Sequence, residues 1–121
     1  MALAEDAFAT VHARLRSIML AGAVGHVVAV DEPGNLIVRT AALDPGTRQP
    51  GWFGTVTTKK SYVAYHLMPL YDDPTLADGI SAALAKRRQG KTCFNFKKID
   101  EALFEEIADL TASANGSVPS S

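Results

Sequence analysis

The chain opens on a helical period. Phe8, Val11, Leu15, Ile18 and Met19 recur at steps of three and four, and His12, Arg14 and Arg16 fall mostly off that face. That spacing predicts a helix over residues 6–21, ended by Gly22 and Gly25. The period then changes. His26 to Asp31 and Asn35 to Ala41 are rich in β-branched residues and predict two strands. Between them Pro33-Gly34 has turn chemistry: proline presets φ and glycine accepts a positive φ. Two prolines and a glycine make Leu43 to Pro50 a loop, and Trp52 to Thr58 and Ser61 to Met68 predict two more strands. Lys59-Lys60 connects them with poor turn chemistry, and Pro69 stops the second.

Asp73-Pro74 is a helix start, with an acid at the N-cap and proline at the first helical position. Gly79 weakens this helix and Ser81 offers a second cap, which predicts short pieces over 74–79 and 81–88 with Gly90 as the stop. Lys91 to Phe96 predicts a fifth strand. Asp100 caps a last helix to about residue 112, with Leu103, Phe104, Ile107 and Leu110 inward, and residues 113–121 predict a flexible polar tail. The order α-β-β-β-β-α-β-α implies a single α+β domain over residues 1–112: a five-stranded, mostly antiparallel sheet with helices on one face.

Composition agrees with one globular core: 121 residues, 47% hydrophobic and 21% charged. One cysteine, Cys93, excludes an intrachain disulfide and a multi-cysteine metal cluster, and suits a reducing compartment. MALAEDAF carries acids where a signal peptide needs positive charge, and Ile18 to Val30 is too short an apolar run to span a bilayer. A soluble cytoplasmic protein without a membrane partner is expected. The net charge of −1 conceals an uneven distribution: residues 1–58, 59–98 and 99–121 carry −1, +5 and −5. Blocks like these more often offset each other in the fold than build a basic site.

Alternation along the strands asks what the helices leave uncovered. In the fourth strand Val63, Tyr65 and Leu67 form the more apolar set, and Tyr62, Ala64, His66 and Met68 the other. In the fifth, Thr92, Phe94 and Phe96 are expected inward, and Lys91, Cys93 and Asn95 outward. The open face should therefore gather Tyr62, His66, Lys91, Cys93 and Asn95, with Tyr71 beyond the end of the strand.

At residues 59–96, KKSYVAYHLMPLY followed by KRRQGKTCFNF resembles the YdhG-like family of small bacterial proteins, and the upstream WFGTV and downstream DEALFEEIADL fit as well. Family members often have methionine where Arg88 stands and serine where Thr92 stands. The resemblance implies a compact α+β domain with a frataxin-like arrangement. One relative has been described as an iron chaperone, and most members have no assigned activity.

Each candidate chemistry has a plainer counterpart. Cys93, His66 and Asn95 supply the residue types of a cysteine-dependent enzyme, with Lys91 to favour a thiolate, yet their spacing matches no known one, and a free cysteine is most often buried structure. His12, His26 and His66 lack metal-ligand spacing. The acids an iron chaperone needs are sparse on the first helix, which holds Glu5 and Asp6 and then Arg14 and Arg16. Glu101, Glu105 and Asp109 form a solvated face on the last helix instead. Lys86 to Lys91, with Lys97-Lys98 beyond, is the strongest basic cluster, but Phe94 and Phe96 face the core and a pI near 6.3 argues against nucleic acid. Gly90-Lys91 lacks the earlier glycine of a phosphate-binding loop. Tyr62, Tyr65 and Tyr71 bracket His66 and suit a pocket rim, while Trp52 suits a core or an interface. No cofactor is expected. The reading that follows is a non-catalytic binding protein. Its open face, built from Tyr62, His66, Tyr71, Lys91, Cys93 and Asn95, takes a small anionic ligand or a protein partner, a second copy included. An iron-binding chaperone and a cysteine-dependent enzyme are the alternatives.

Overall fold

The computed structural model describes residues 3–43 and 50–117. Helix α1 (Leu3–Gly22) leads into strands β1 (Val27–Glu32), β2 (Asn35–Leu43), β3 (Pro50–Thr58) and β4 (Val63–Leu67). Helix α2 (Pro69–Asp72), a 3-10 turn (Pro74–Ala77) and helix α3 (Ala82–Ala85) follow, then β5 (Arg88–Gln89), β6 (Cys93–Phe96) and helix α4 (Glu101–Ser117). The strands form one antiparallel sheet in the order β1-β2-β3-β4-β6-β5. The fold is α+β, as the pattern of elements predicts. The interior of the loop expected over Leu43 to Pro50 lies outside the described residues.

The inner face of the sheet follows from strand parity. Leu36, Val56, Tyr65 and Phe94 stand side by side across four strands and are all buried. Val63 and Phe96 form the next row, and Phe104 of α4 meets Phe96 edge to face at 5.2 Å. Leu15 and Met19 of α1 and Ile107 of α4 complete the core, each fully buried. Burial of a side chain of this size contributes roughly 1.5–3 kcal/mol, so this layer dominates the stability of the domain. Two contacts set how closely the layers approach. Gly54 leaves room for Met19, because a Cβ there would lie 2.5 Å from its Cε. Gly22 does the same for Thr111, whose Cγ2 would stand 2.5 Å from an added Cβ, bringing α1 against α4. Thr111 in turn donates to the carbonyl of Ile107 and accepts the hydroxyl of Tyr65 at 2.6 Å, so Tyr65 does not reach solvent.

Several elements depart from the sequence expectation. The sheet has six strands, not five. Arg88, expected to end a helix, is extended together with Gln89, and the two pair with Phe94 and Cys93, because Gly90 turns the chain at φ +80° into a hairpin instead of capping a helix. Lys91 and Thr92 consequently sit in that turn and not in the strand, where the alternation rule does not apply. Pro69 begins helix α2 as well as ending the strand, since proline is accommodated at a first helical position. Asp73 makes no backbone cap; its carboxylate accepts the hydroxyl of Thr75. Ser81 and Asp100 do cap as expected, accepting from the amides of Leu84 and Leu103. Helix α4 continues past residue 112 to Ser117, because Ala114 is fully buried and extends the apolar stripe. Residues 118–121 of the expected tail lie outside the described residues. No helix among the described residues is long and apolar enough to cross a membrane.

Candidate functional site on the uncovered sheet face

Helices α1 and α4 pack against one side of the sheet, and α2, the 3-10 turn and α3 pack against α4. Among the described residues no helix packs against the other side. Register brings one row of side chains across all six strands there: Val30, Ile37, Thr55, His66, Cys93 and Gln89. A second row holds Asn35, Thr57, Ala64 and Asn95. The face divides in two. Toward β1 it is apolar and aromatic, with Val27 53% and Trp52 44% exposed, and the guanidinium of Arg39 lies 4.3 Å from the centroid of the Trp52 ring. Toward β5 it is polar, with Thr55, Thr57, His66, Cys93 and Asn95 half-buried.

His66 stands directly opposite Cys93, and Asn95 opposite Ala64, so these three expected residues do share one face. The Cys93 thiol donates to the side-chain carbonyl of Asn95 at 3.2 Å, and the Asn95 amide donates to Gln89 at 3.3 Å. The Nδ1 of His66 lies 3.4 Å from the Thr92 hydroxyl, which therefore reaches the open side although the residue was expected inward. Burial pushes the Cys93 thiol above its ordinary pKa, and the positive charge of Lys59 opposes that shift without reversing it. Burial and then Lys59 hold the His66 imidazole below its ordinary value. Among the described residues no hydrogen bond joins His66 to Cys93. Both shifts favour the neutral forms, a thiol beside an imidazole.

Tyr62 is half-buried just before β4, at its Lys59 end. Lys91 and Tyr71 are separate from this row. The Lys91 ammonium lies 5.4 Å from the centroid of the exposed Tyr71 ring, at the opposite end of β4. The three histidines are also apart in environment: His12 is buried with Nε2 3.0 Å from the carbonyl of Val56, and His26 stacks on Phe53 at 4.7 Å. Among the described residues no three His, Cys, Asp or Glu side chains converge on a metal site.

Lys59 is a charged neighbour of this row that the sequence pattern did not bring to it. It lies one residue beyond β3 in the turn to β4, its amide donating to the carbonyl of Tyr62, and its charge acts on both His66 and Cys93. Thr55 and Gln89 were missed for a different reason: only the register shows that they flank His66 and Cys93. Trp52, offered as core or interface, is not core.

Compared with known proteins, the chain matches no family model, no curated protein and no solved structure.

Proposed function

We propose that this chain is a small, non-catalytic binding protein of the YdhG-like kind, and that the polar half of its uncovered sheet face takes a small anionic ligand. One observation carries the reading: the register gathers Thr55, His66 and Cys93, with Thr57 and Asn95 beside them, as hydrogen-bonding groups on one face, and the charge of Lys59 in the adjoining turn acts on His66 and Cys93. An anion placed there neutralises Lys59 and accepts hydrogen bonds from hydroxyl and amide donors. It also removes the cation that disfavours imidazolium, so binding and protonation of His66 reinforce each other. The neutral thiol of Cys93 is a hydrogen-bonding wall of this site, not a nucleophile.

The test is an NMR titration of the protein with inorganic phosphate and with citrate. The expected result is a set of shifts confined to residues 55–59, 64–66 and 93–95, a rise in the His66 pKa on saturation, and loss of both in Lys59→Ala. Shifts that map elsewhere, or a His66 pKa that does not move, overturn the reading. Ferrous iron, titrated in parallel by calorimetry, separates it from the iron-chaperone alternative.

The apolar half of the face favours a second occupant. An exposed tryptophan backed by a stacked arginine is the composition of an interface centre. A protein partner, the simplest being a second copy, covers Trp52 and Val27. Sedimentation equilibrium of the wild type against Trp52→Ala checks this; a monomer at all concentrations for both excludes the self-pairing form.

A further inference from the structure

Among the described residues no ion pair joins the basic block of residues 59–98 to the acidic block that follows it. The ion pairs among the described residues are Arg14–Glu101 and Arg16–Asp31, and neither uses a cation from that block. The register shows where those cations go instead. Val63 at the start of β4 pairs with Phe96 at the end of β6, and the amide of Asn95 bonds to the carbonyl of Arg87 just before β5. The start of β4, the end of β6 and the start of β5 therefore lie at one end of the sheet. Lys59, Lys60, Lys86, Arg87, Lys97 and Lys98 come from three stretches of sequence and are all exposed at this end. Of the acids at this end, Asp100 accepts from the Leu103 amide, Glu101 pairs with Arg14 of α1 and Asp31 with Arg16, while Glu32 is exposed at the β1 edge, away from β4, β6 and β5. Glu105 and Asp109 lie farther along α4, which packs on the other side of the sheet.

We propose that this cationic sheet end binds the phosphate backbone of single-stranded nucleic acid, with unpaired bases resting on the adjoining open face. The inference stands on the cations and does not need the small-anion reading. From the β3–β4 turn to β5 the ridge covers three strand spacings of about 4.8 Å, roughly 14 Å, which accommodates a stretch of phosphodiester backbone. Beside it, Thr57, Asn95 and Gln89 present hydroxyl and amide groups, and Tyr62 an aromatic ring. Such groups serve splayed bases, whose edges are accessible, and not a duplex, whose grooves a six-stranded sheet cannot enter. An anionic membrane fits less well. Surface-bound proteins add apolar groups that enter the lipid, and the large exposed hydrophobics, Val24, Val27, Val28, Trp52 and Tyr71, all lie at the β1 edge or at the opposite strand ends. The near-neutral net charge does not describe a molecule whose basic and acidic blocks occupy different surfaces.

The test measures binding of a fluorescently labelled oligouridylate by anisotropy over a range of salt concentrations. Six phosphate contacts on a single strand predict a slope of log affinity against log salt of about −4. The triple variant Lys60→Ala, Lys97→Ala, Lys98→Ala leaves Lys59 in place. It should lower the slope by about 2 and weaken binding roughly 100-fold near 0.1 M salt, by the same counterion release. The corresponding triple arginine variant should bind like wild type. No binding by wild type, or an unchanged slope in the alanine variant, overturns the proposal. So does equal or tighter binding of polyglutamate or of phosphatidylserine vesicles, which assigns the ridge to an acidic protein or to a membrane.

Discussion

Gly54→Ala is the sharpest test of how the sheet is held. The position lies in β3 opposite Leu67, on the inner face beneath α1. A Cβ added there would stand 2.5 Å from the Cε and 2.8 Å from the Sδ of Met19, and 2.6 Å from the backbone oxygen of His66. The two obstacles differ in kind. The methionine end is flexible and can change rotamer, at a packing cost. The carbonyl of His66 belongs to the ladder between β3 and β4 and can retreat only if the strand moves. Inserting a methyl into a packed core costs about 1–3 kcal/mol, and a backbone obstacle puts this site at the upper end, about 3 kcal/mol. With an m-value of about 2 kcal/mol/M, urea denaturation should show the midpoint falling by roughly 1.5 M. The same shift of β4 disturbs His66 from behind, so its NMR resonances should move although the substitution lies on the other face. In a cycle with Met19→Ala, about half of the Gly54→Ala cost should be recovered, because truncating the methionine clears one obstacle and leaves the other. A loss below about 0.5 kcal/mol in Gly54→Ala alone would show that α1 does not sit as described.

Tyr65 and Thr111 should respond asymmetrically. Thr111→Val strands the buried phenol donor and should cost about 2–3 kcal/mol, whereas Tyr65→Phe leaves Thr111 bonded to Ile107 and should cost about 1 kcal/mol; paired urea melts decide. Burial raises the Tyr65 phenol well above its ordinary value, so stability present below pH ~10 should be lost as the pH climbs further, a limb absent in Tyr65→Phe. His66 has the opposite sign. Burial, with Lys59 second, depresses its pKa, so its contribution is present above pH ~6.5 and lost as pH falls through the folded value; His66→Gln should flatten that limb while leaving neutral stability within about 1 kcal/mol. Cys93 should react slowly with a maleimide in the folded protein and quickly in denaturant, and more slowly still in Lys59→Ala, because Lys59 lowers the thiol pKa that burial raises. Fast labelling of the folded protein, with an apparent pKa below ~8.5, would revive the cysteine-enzyme alternative.

Much of this architecture is legible in the chain alone, and the reason is periodicity. The 3.6-residue stripes from Phe8 to Met19 and from Leu103 to Leu110, and the two-residue alternation of Val63, Tyr65 and Leu67, each state which side faces the core before any partner is known. Parity likewise puts His66, Cys93 and Asn95 on one face. What local pattern does not carry is pairing. Arg88-Gln89 is helix-compatible in isolation and becomes a strand only because Gly90 turns it onto β6, which also takes Lys91 and Thr92 out of the sheet. Lys59 joins His66 only once β3 and β4 pair, and the six cations gather only once β4, β6 and β5 are aligned end to end. Tyr65 is an ordinary strand tyrosine by sequence, and its burial depends on Thr111 arriving from a helix 46 residues away. The core is thus set by repeats within single elements, where burial of apolar surface dictates orientation. The site and its charge are set by register between elements distant in sequence, which hydrogen-bonded pairing determines and no local repeat encodes.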